Sequence, residues 1–283
     1  KSKNIINSLR TAKAEHIKYI LKKLLPFTLA AFLAIAITSI DTLMIQWIDG
    51  NEGVGYFQAG LKISETILII PILFMTNLFP FTAKYNDDDK RQIDIVSQST
   101  SIMIMVGLPI IIGGIFLSEE IITAIYSISY IPAIKPFKIL LIATFPMFFL
   151  SLFNGLLLAI NKEKVSVTLT SISFIINIIL NIILIPKMGV FGAVIGTMVS
   201  RIILLMMVYL FLVKKYKNKI FQLRPLLKYS FYTFIMIKVI ELSKGFINNI
   251  FILICFGAIL YLVILLITRD QYIKKAGQIL RSI

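Results

Sequence analysis

The 283-residue sequence contains one cysteine, one histidine, one tryptophan and only 14 acidic side chains. A single Cys255 excludes a disulfide within the chain, and a single His16 leaves no cluster able to hold zinc or a redox metal. There is no Ser–His pairing, no Gly-rich phosphate loop and no zinc motif, so no residue constellation supports an enzyme, a cofactor or a metal site. Asp87, Asp88 and Asp89 form the densest acidic run, but Lys90 and Arg91 follow at once, which reads as a solvated charge run in a turn.

Charged residues of both signs make up only 15% of the chain, against 58% hydrophobic residues and a mean hydropathy of +0.90. A soluble domain is about 45–50% apolar, so lipid must be the solvent for most of this chain. In lipid every backbone N–H and C=O has to be paired internally, leaving only helices or closed barrels. The apolar runs are continuous rather than alternating and long enough for helices crossing about 30 Å of hydrocarbon. Eight candidate spans follow: Pro26–Trp47, Gly55–Thr82, Ser97–Leu117, Pro136–Ile160, Val165–Pro186, Val190–Val213, Pro225–Leu242 and Ile250–Thr268. The seventh is the weakest, since Lys228 and Lys238 fall inside it. The fold class is an all-α polytopic membrane bundle.

The net charge of +15 has its explanation in topology rather than nucleic acid. Residues 1–25, 84–95, 161–164, 214–228 and 269–283 hold seven, three, two, six and four Lys or Arg, 22 in all. The alternate segments hold four: Lys135, Lys138, Lys187 and Lys244. By the excess of positive charge on cytoplasmic loops, both termini face the cytoplasm. Trp47, Tyr56, Tyr126 and Tyr130 then fall at the outer interface, where amphipathic rings collect. Two flanks look amphipathic and suited to lie on the inner leaflet: Ile5, Leu9, Ile17, Ile20, Leu21 and Leu24 near the start, and Tyr272, Ile273, Ala276, Ile279, Leu280 and Ile283 near the end. The basic first 25 residues lack the apolar stretch of a signal sequence before Leu24, and a chain opening on Lys reads as a fragment of a longer one.

Four ionisable residues lie inside the spans. Asp41 is six residues, about 9 Å, from the outer end at Trp47. Lys62 is about 10 Å below Gly55 on the next span, so the two are expected to share a level and to be able to meet. Glu65 follows Lys62 by one turn, and Arg201 lies near the midplane with no obvious acid at its depth. Each such group costs on the order of 2.5–3.5 kcal/mol to insert, so it faces a partner or water. One reading is charge pairs holding helices in register. The other is a hydrophilic vestibule in which Lys62 and Arg201 attract an anionic headgroup while Asp41 or Glu65 carries a coupling ion. In the fifth span Ser166, Thr170, Ser173, Asn177 and Asn181 form one helical stripe, either bonding neighbouring helices or, through Asn177 and Asn181, lining the vestibule toward sugar hydroxyls. Gly192, Gly196 and Ser200 form a small-residue ridge for close packing.

Three stretches carry a family resemblance. "LPFTLAAFLAIAITSIDTLMI" from Leu25 and "VGYFQAGLKISETILIIPILFMTNLFPFTAKY" from Val54 precede a polar loop. "LFNGLLLAINKEKVSVTLTSISFIINIILNIILIPKMGVFGAVIGTMVS" from Leu152 then gives a helix, a short basic loop, a polar-striped helix and a Pro- and Gly-containing turn. Over most of 20–213 the chain resembles the C-terminal lobe of the polysaccharide exporters and O-antigen flippases of the multidrug/oligosaccharidyl-lipid/polysaccharide exporter superfamily. The resemblance implies a transporter of two six-helix lobes, here lacking the N-terminal lobe. It divides the chain into a cytoplasmic basic segment (1–25), a MATE-like six-helix lobe (26–213), two additional transmembrane helices (214–268) and a cytoplasmic tail (269–283). It implies a flippase in the cytoplasmic membrane carrying polyprenyl-pyrophosphate-linked oligosaccharide for surface polysaccharide synthesis, with that lipid-linked sugar, membrane lipids and the absent lobe as partners. Alternatives are a cation-coupled multidrug exporter of the same superfamily, or a non-catalytic membrane partner in the polysaccharide pathway.

Overall fold

A computed structural model describes residues 2–85, 88–216, 220–247 and 249–272, with only scattered side chains before residue 39. The two amphipathic flanks therefore lie largely outside the described side chains, as does His16. Among the described residues every regular element is helical. The chain runs through α1 (Ser2–Ile67), α2 (Ile69–Lys84), α3 (Asp89–Phe116), α4 (Ser118–Tyr126), a 3-10 turn (Ile128–Ala133), α5 (Ile134–Ala159), α6 (Glu163–Met188), α7 (Val190–Tyr216), α8 (Leu223–Ser243) and α9 (Ile250–Ile267).

All eight expected stretches are helical, and the breaks between them have local causes. Gly50 interrupts α1 with φ of 67° and ψ of −160°, a conformation that Gly adopts without a Cβ penalty. The chain turns there from a first arm, carrying Asp41, into a second arm carrying Lys62 and Glu65. The second arm ends at Ile67 because Pro71 has no N–H to offer the Ile67 carbonyl and its ring crowds that oxygen. The helix resumes at once as α2, so α1's second arm and α2 form one bent span. Six stretches are long and apolar enough to cross a membrane among the described residues: Ser39–Lys84, Asp89–Phe116, Ile128–Ala159, Glu163–Met188, Val190–Tyr216 and Ile250–Ile267. α8 is not among them, because Arg224, Lys228, Lys238 and Glu241 interrupt it.

Isoleucines 175, 179, 182 and 183 of α6, and Phe251, Ile259, Leu262 and Leu266 of α9, are exposed. Side chains so apolar on an outer surface are what a lipid-facing helix presents. Inside, α5 is the most enclosed element and packs against α1, α2, α3 and α7. At its first turn Gly60 of α1 sits where an added Cβ would lie 3.1 Å from the Phe137 Cα, so the two backbones nearly touch. The α6–α7 hairpin is closer still. A Cβ on Gly192 would fall 2.3 Å from the Leu184 carbonyl oxygen, which bears out the small-residue ridge.

The last two helices dock on α3 through polar contacts that the hydropathy pattern conceals. Pro109 leaves the Met105 carbonyl without its helical donor, and the buried Tyr261 hydroxyl of α9 donates to that oxygen at 2.7 Å. Lys228 of α8 pairs with the buried Asp270, which also accepts from the Tyr229 hydroxyl at 3.0 Å and the Tyr272 backbone N–H at 2.8 Å. Lys238 forms an exposed pair with Glu241 at 2.8 Å. Both lysines that weakened the seventh span are thus charge-matched. At the other end of the bundle Lys244 binds Glu120 and lies over the Phe116 ring, tying α8's end to α4.

Candidate functional site: a buried carboxylate and a chain of alternating charge

Asp41 is the buried anion of the lobe, with 1% of its surface exposed. Asn181 of α6 donates through Nδ2 to one carboxylate oxygen, and the Thr197 hydroxyl of α7 donates to the other at 2.8 Å. The same Asn181 amide donates to the Asn177 Oδ1 at 3.3 Å. Sequence spacing brings these together: Asn177 and Asn181 are one turn apart on one face of α6. Thr197 follows Gly196, whose missing Cβ admits the Asn181 side chain; a Cβ there would fall 2.5 Å from the Asn181 Oδ1. That Oδ1 is buried and accepts no hydrogen bond among the described residues. The cluster is held by neutral donors alone, with no Lys or Arg in hydrogen-bond contact with the carboxylate among the described residues.

The expected meeting of Asp41 and Lys62 does not occur. The two residues point in different directions, because depth along a helix says nothing about azimuth. Lys62 projects outward with 69% of its side chain exposed, and pairs with Glu65 at 3.5 Å on its own helix. Asn177 and Asn181 likewise do not line an open wall. They are buried, at 1% and 0%, and their amides turn inward to Asp41. Two further residues of the stripe bond within the bundle: Ser173 donates to the Ser200 carbonyl at 2.9 Å and Ser166 to the Asn154 side chain at 3.0 Å.

Arg201 is half-buried on α7, one turn beyond Thr197. It makes no ion pair within 4 Å among the described residues, yet it lies in the electrostatic field of both Asp41 and Glu65. Lys62 pairs with Glu65, and Arg201 has Glu65 and Asp41 as its longer-range acidic neighbours, so opposite charges neighbour one another in the order Lys62, Glu65, Arg201, Asp41. Hydropathy alone does not reveal this ordering, although the i, i+3 spacing of Lys62 and Glu65 does give its first step.

Outside this group of charges, several acids have structural partners. Asp88 caps α3 by accepting from the Arg91 N–H at 3.1 Å, and Asp89 pairs with Lys215 at 3.3 Å, as a solvated charge run should. Asp49 accepts from the Val190 N–H at 2.7 Å and so caps α7 from across the bundle. Tyr56, Tyr126 and Tyr130 form a ring cluster with centroids 5.8 and 5.2 Å apart, and Trp47 is 90% exposed.

A helical membrane bundle with hairpin-forming bent spans, a sealed carboxylate and a graded line of charge has the makings of a transporter lobe. The lipid II flippase MurJ family model matches residues 4–266, and the chain belongs to that family. A probable flippase, AglR, of Haloferax volcanii is 25% identical over 172 residues, covering 57% of this chain and 35% of that protein. Among solved structures, a lipid II flippase MurJ in an inward closed conformation superposes with a TM-score of 0.72 at 23% identity, over 90% of this chain and 56% of that one. An outward-facing multidrug resistance transporter of the MATE family gives 0.60 at 16%, over 78% and 53%. A MOP superfamily transporter from Pyrococcus furiosus gives 0.60 at 17%, over 77% and 51%. These likenesses establish the MATE-like fold expected from the motifs; the family shown is MurJ rather than the O-antigen flippases. The chain spans little more than half the length of these structures and about a third of the Haloferax protein.

Proposed function

We propose that this chain is the C-terminal lobe, with two further helices, of a flippase that moves a polyprenyl-pyrophosphate-linked oligosaccharide across the cytoplasmic membrane. An N-terminal six-helix lobe completes it, and both termini of this chain face the cytoplasm. Family membership supports the lipid-linked class of substrate. The observation that carries the mechanism is the line of alternating charge running from exposed Lys62 to buried Asp41. A Lys 10 Å inside the slab and 69% exposed on the lobe faces water or a partner lobe, since lipid would exact a steep penalty. That flank forms one wall of the vestibule, and Lys62 with Arg201 attracts the pyrophosphate.

Asp41 serves as the ion-coupling site. A sealed carboxylate touched only by neutral donors is costly when charged, so it favours uptake of a proton or a monovalent cation. The carboxylate with three neighbouring oxygen-bearing groups (Asn177, Asn181 and Thr197) suits either guest. Neutralising Asp41 strips Arg201 of one of its two negative neighbours, which strengthens its pull on an external anion. Glu65 passes the change to Lys62 in the same way. Ion binding and headgroup binding are thereby linked through two intervening charges, a coupling whose reciprocity is required thermodynamically.

The test is transport by the full-length protein in proteoliposomes of a fluorescent polyprenyl-pyrophosphate glycan, carrying either a surface-polymer repeat unit or the lipid II sugar. Lys62→Ala with Arg201→Ala is expected to abolish flux of whichever glycan the parent moves. Undiminished flux, or transport of neither glycan by the parent protein, overturns the reading.

A further inference from the structure

A second concentration of positive charge lies well away from the vestibule. Ile160 at the end of α5, Lys162 in the α5–α6 turn, and Phe211, Lys214 and Lys215 at the end of α7 enclose a hollow of about 380 Å³. Lys214 is thirteen residues beyond Arg201, so the hollow sits about 20 Å further along α7. That places it at the basic end of the bundle, at the level of lipid headgroups.

Three lysine side chains line this space, and among the described residues no acidic residue does. Lys215 has a partner in Asp89 at 3.3 Å and stands over the Tyr216 ring; Lys162 and Lys214 form no ion pair among the described residues. Their mutual repulsion is relieved only in part, through Asp89. The first turn of α6 starts at the same place with no side chain capping its N–H groups, and it carries Glu163, which offsets part of the positive potential of the helix end. The wall between the lysines is apolar: the Phe211 ring and the buried Ile160 side chain. An anion that is satisfied here carries a phosphate for the lysines and a hydrocarbon portion for Phe211 and Ile160.

We infer that this hollow is a binding site for the phosphate of an anionic membrane phospholipid, separate from the transported substrate. Basic pockets between membrane helices at the cytoplasmic side are suited to such headgroups. The lipid bridges the α5–α6 turn to the end of α7, and so holds together two of the helix ends nearest the α8 junction. Surface attraction alone is worth roughly fivefold in affinity per lysine, and partial neutralisation of Lys215 by Asp89 lowers the total for the three.

The experiment titrates the delipidated full-length protein with fluorescent phosphatidylglycerol, and separately with fluorescent phosphatidylcholine, in neutral detergent. The triple variant Lys162→Gln, Lys214→Gln, Lys215→Gln is compared with a control triple at the same end of the bundle, Lys84→Gln, Lys90→Gln, Arg224→Gln. The expected result is tight phosphatidylglycerol binding weakened about tenfold or more in the first triple, little changed in the control, and not displaced by millimolar inorganic pyrophosphate. Three results would each overturn the inference. Equal losses in the two triples would mean diffuse surface attraction. Equal binding of phosphatidylcholine would remove the need for anionic charge, and displacement by inorganic pyrophosphate would make it a site for soluble phosphate.

Discussion

Replacing Tyr261 by Phe removes one oxygen from the contact between α9 and α3, and the consequence depends on a proline 152 residues earlier in the chain. Pro109 cannot donate to the Met105 carbonyl, which instead accepts from the Tyr261 hydroxyl at 2.7 Å in a buried setting. Without the hydroxyl the buried carbonyl loses this donor. A buried acceptor left unmatched costs about 1–3 kcal/mol, while side-chain hydrogen bonds between membrane helices average about 0.6 kcal/mol with a maximum near 1.7. The expected loss is therefore about 1–2 kcal/mol. In a Pro109→Ala background the residue at 109 regains an N–H, the carbonyl is paired within α3, and the Phe substitution should cost only a few tenths of a kcal/mol. The double-mutant cycle is read by unfolding the detergent-solubilised protein with a graded denaturant. An equal cost in both backgrounds would show that the proline-freed carbonyl is not what Tyr261 satisfies.

Three further outcomes follow from the geometry. Gly192→Ala places a methyl group 2.3 Å from the Leu184 carbonyl oxygen and should destabilise the α6–α7 hairpin by about 1–3 kcal/mol or prevent insertion, whereas Gly245→Ala meets nothing within 4 Å and should be neutral; melting temperatures compare the two. Lys228→Met strands the buried Asp270 carboxylate with only Tyr229 and the Tyr272 N–H and should cost about 2–3 kcal/mol, and adding Asp270→Asn should return part of it; failure of the second change to help would refute the pairing. Thr197→Val removes one of the two side chains that donate to Asp41 and should alter the ion dependence of transport several-fold while leaving the fold intact, as judged by circular dichroism and elution volume.

Helix number and approximate ends were legible because apolar run length maps directly onto bilayer thickness, and Gly50 and Pro71 mark their breaks for local backbone reasons. The α6–α7 packing was legible in the Gly192, Gly196, Ser200 spacing. Levels of the charged residues were legible too, from rise per residue. Rotation about each helix was not. Rise per residue puts Asp41 and Lys62 at one depth, but only the packed bundle shows that one turns inward to residues 140 and 156 positions later and the other outward. For the same reason the polar stripe of α6 read equally well as a vestibule wall. Asp270 was missed because it lies past the apolar run, where hydropathy has nothing to say. Its signal was the unexplained pair of lysines within α8.

The charge line from Lys62 to Asp41 is tested most directly by the ion dependence of glycan flux. The full-length protein and its Asp41→Asn variant would be reconstituted at equal density, with an imposed proton or sodium gradient across the proteoliposome membrane. The account predicts that one of these gradients accelerates flux in the parent protein, and that the variant, still folded and still binding the glycan, shows the same rate with and without it. Gradient-driven acceleration of equal size in the variant would contradict the assignment of Asp41 as the coupling group.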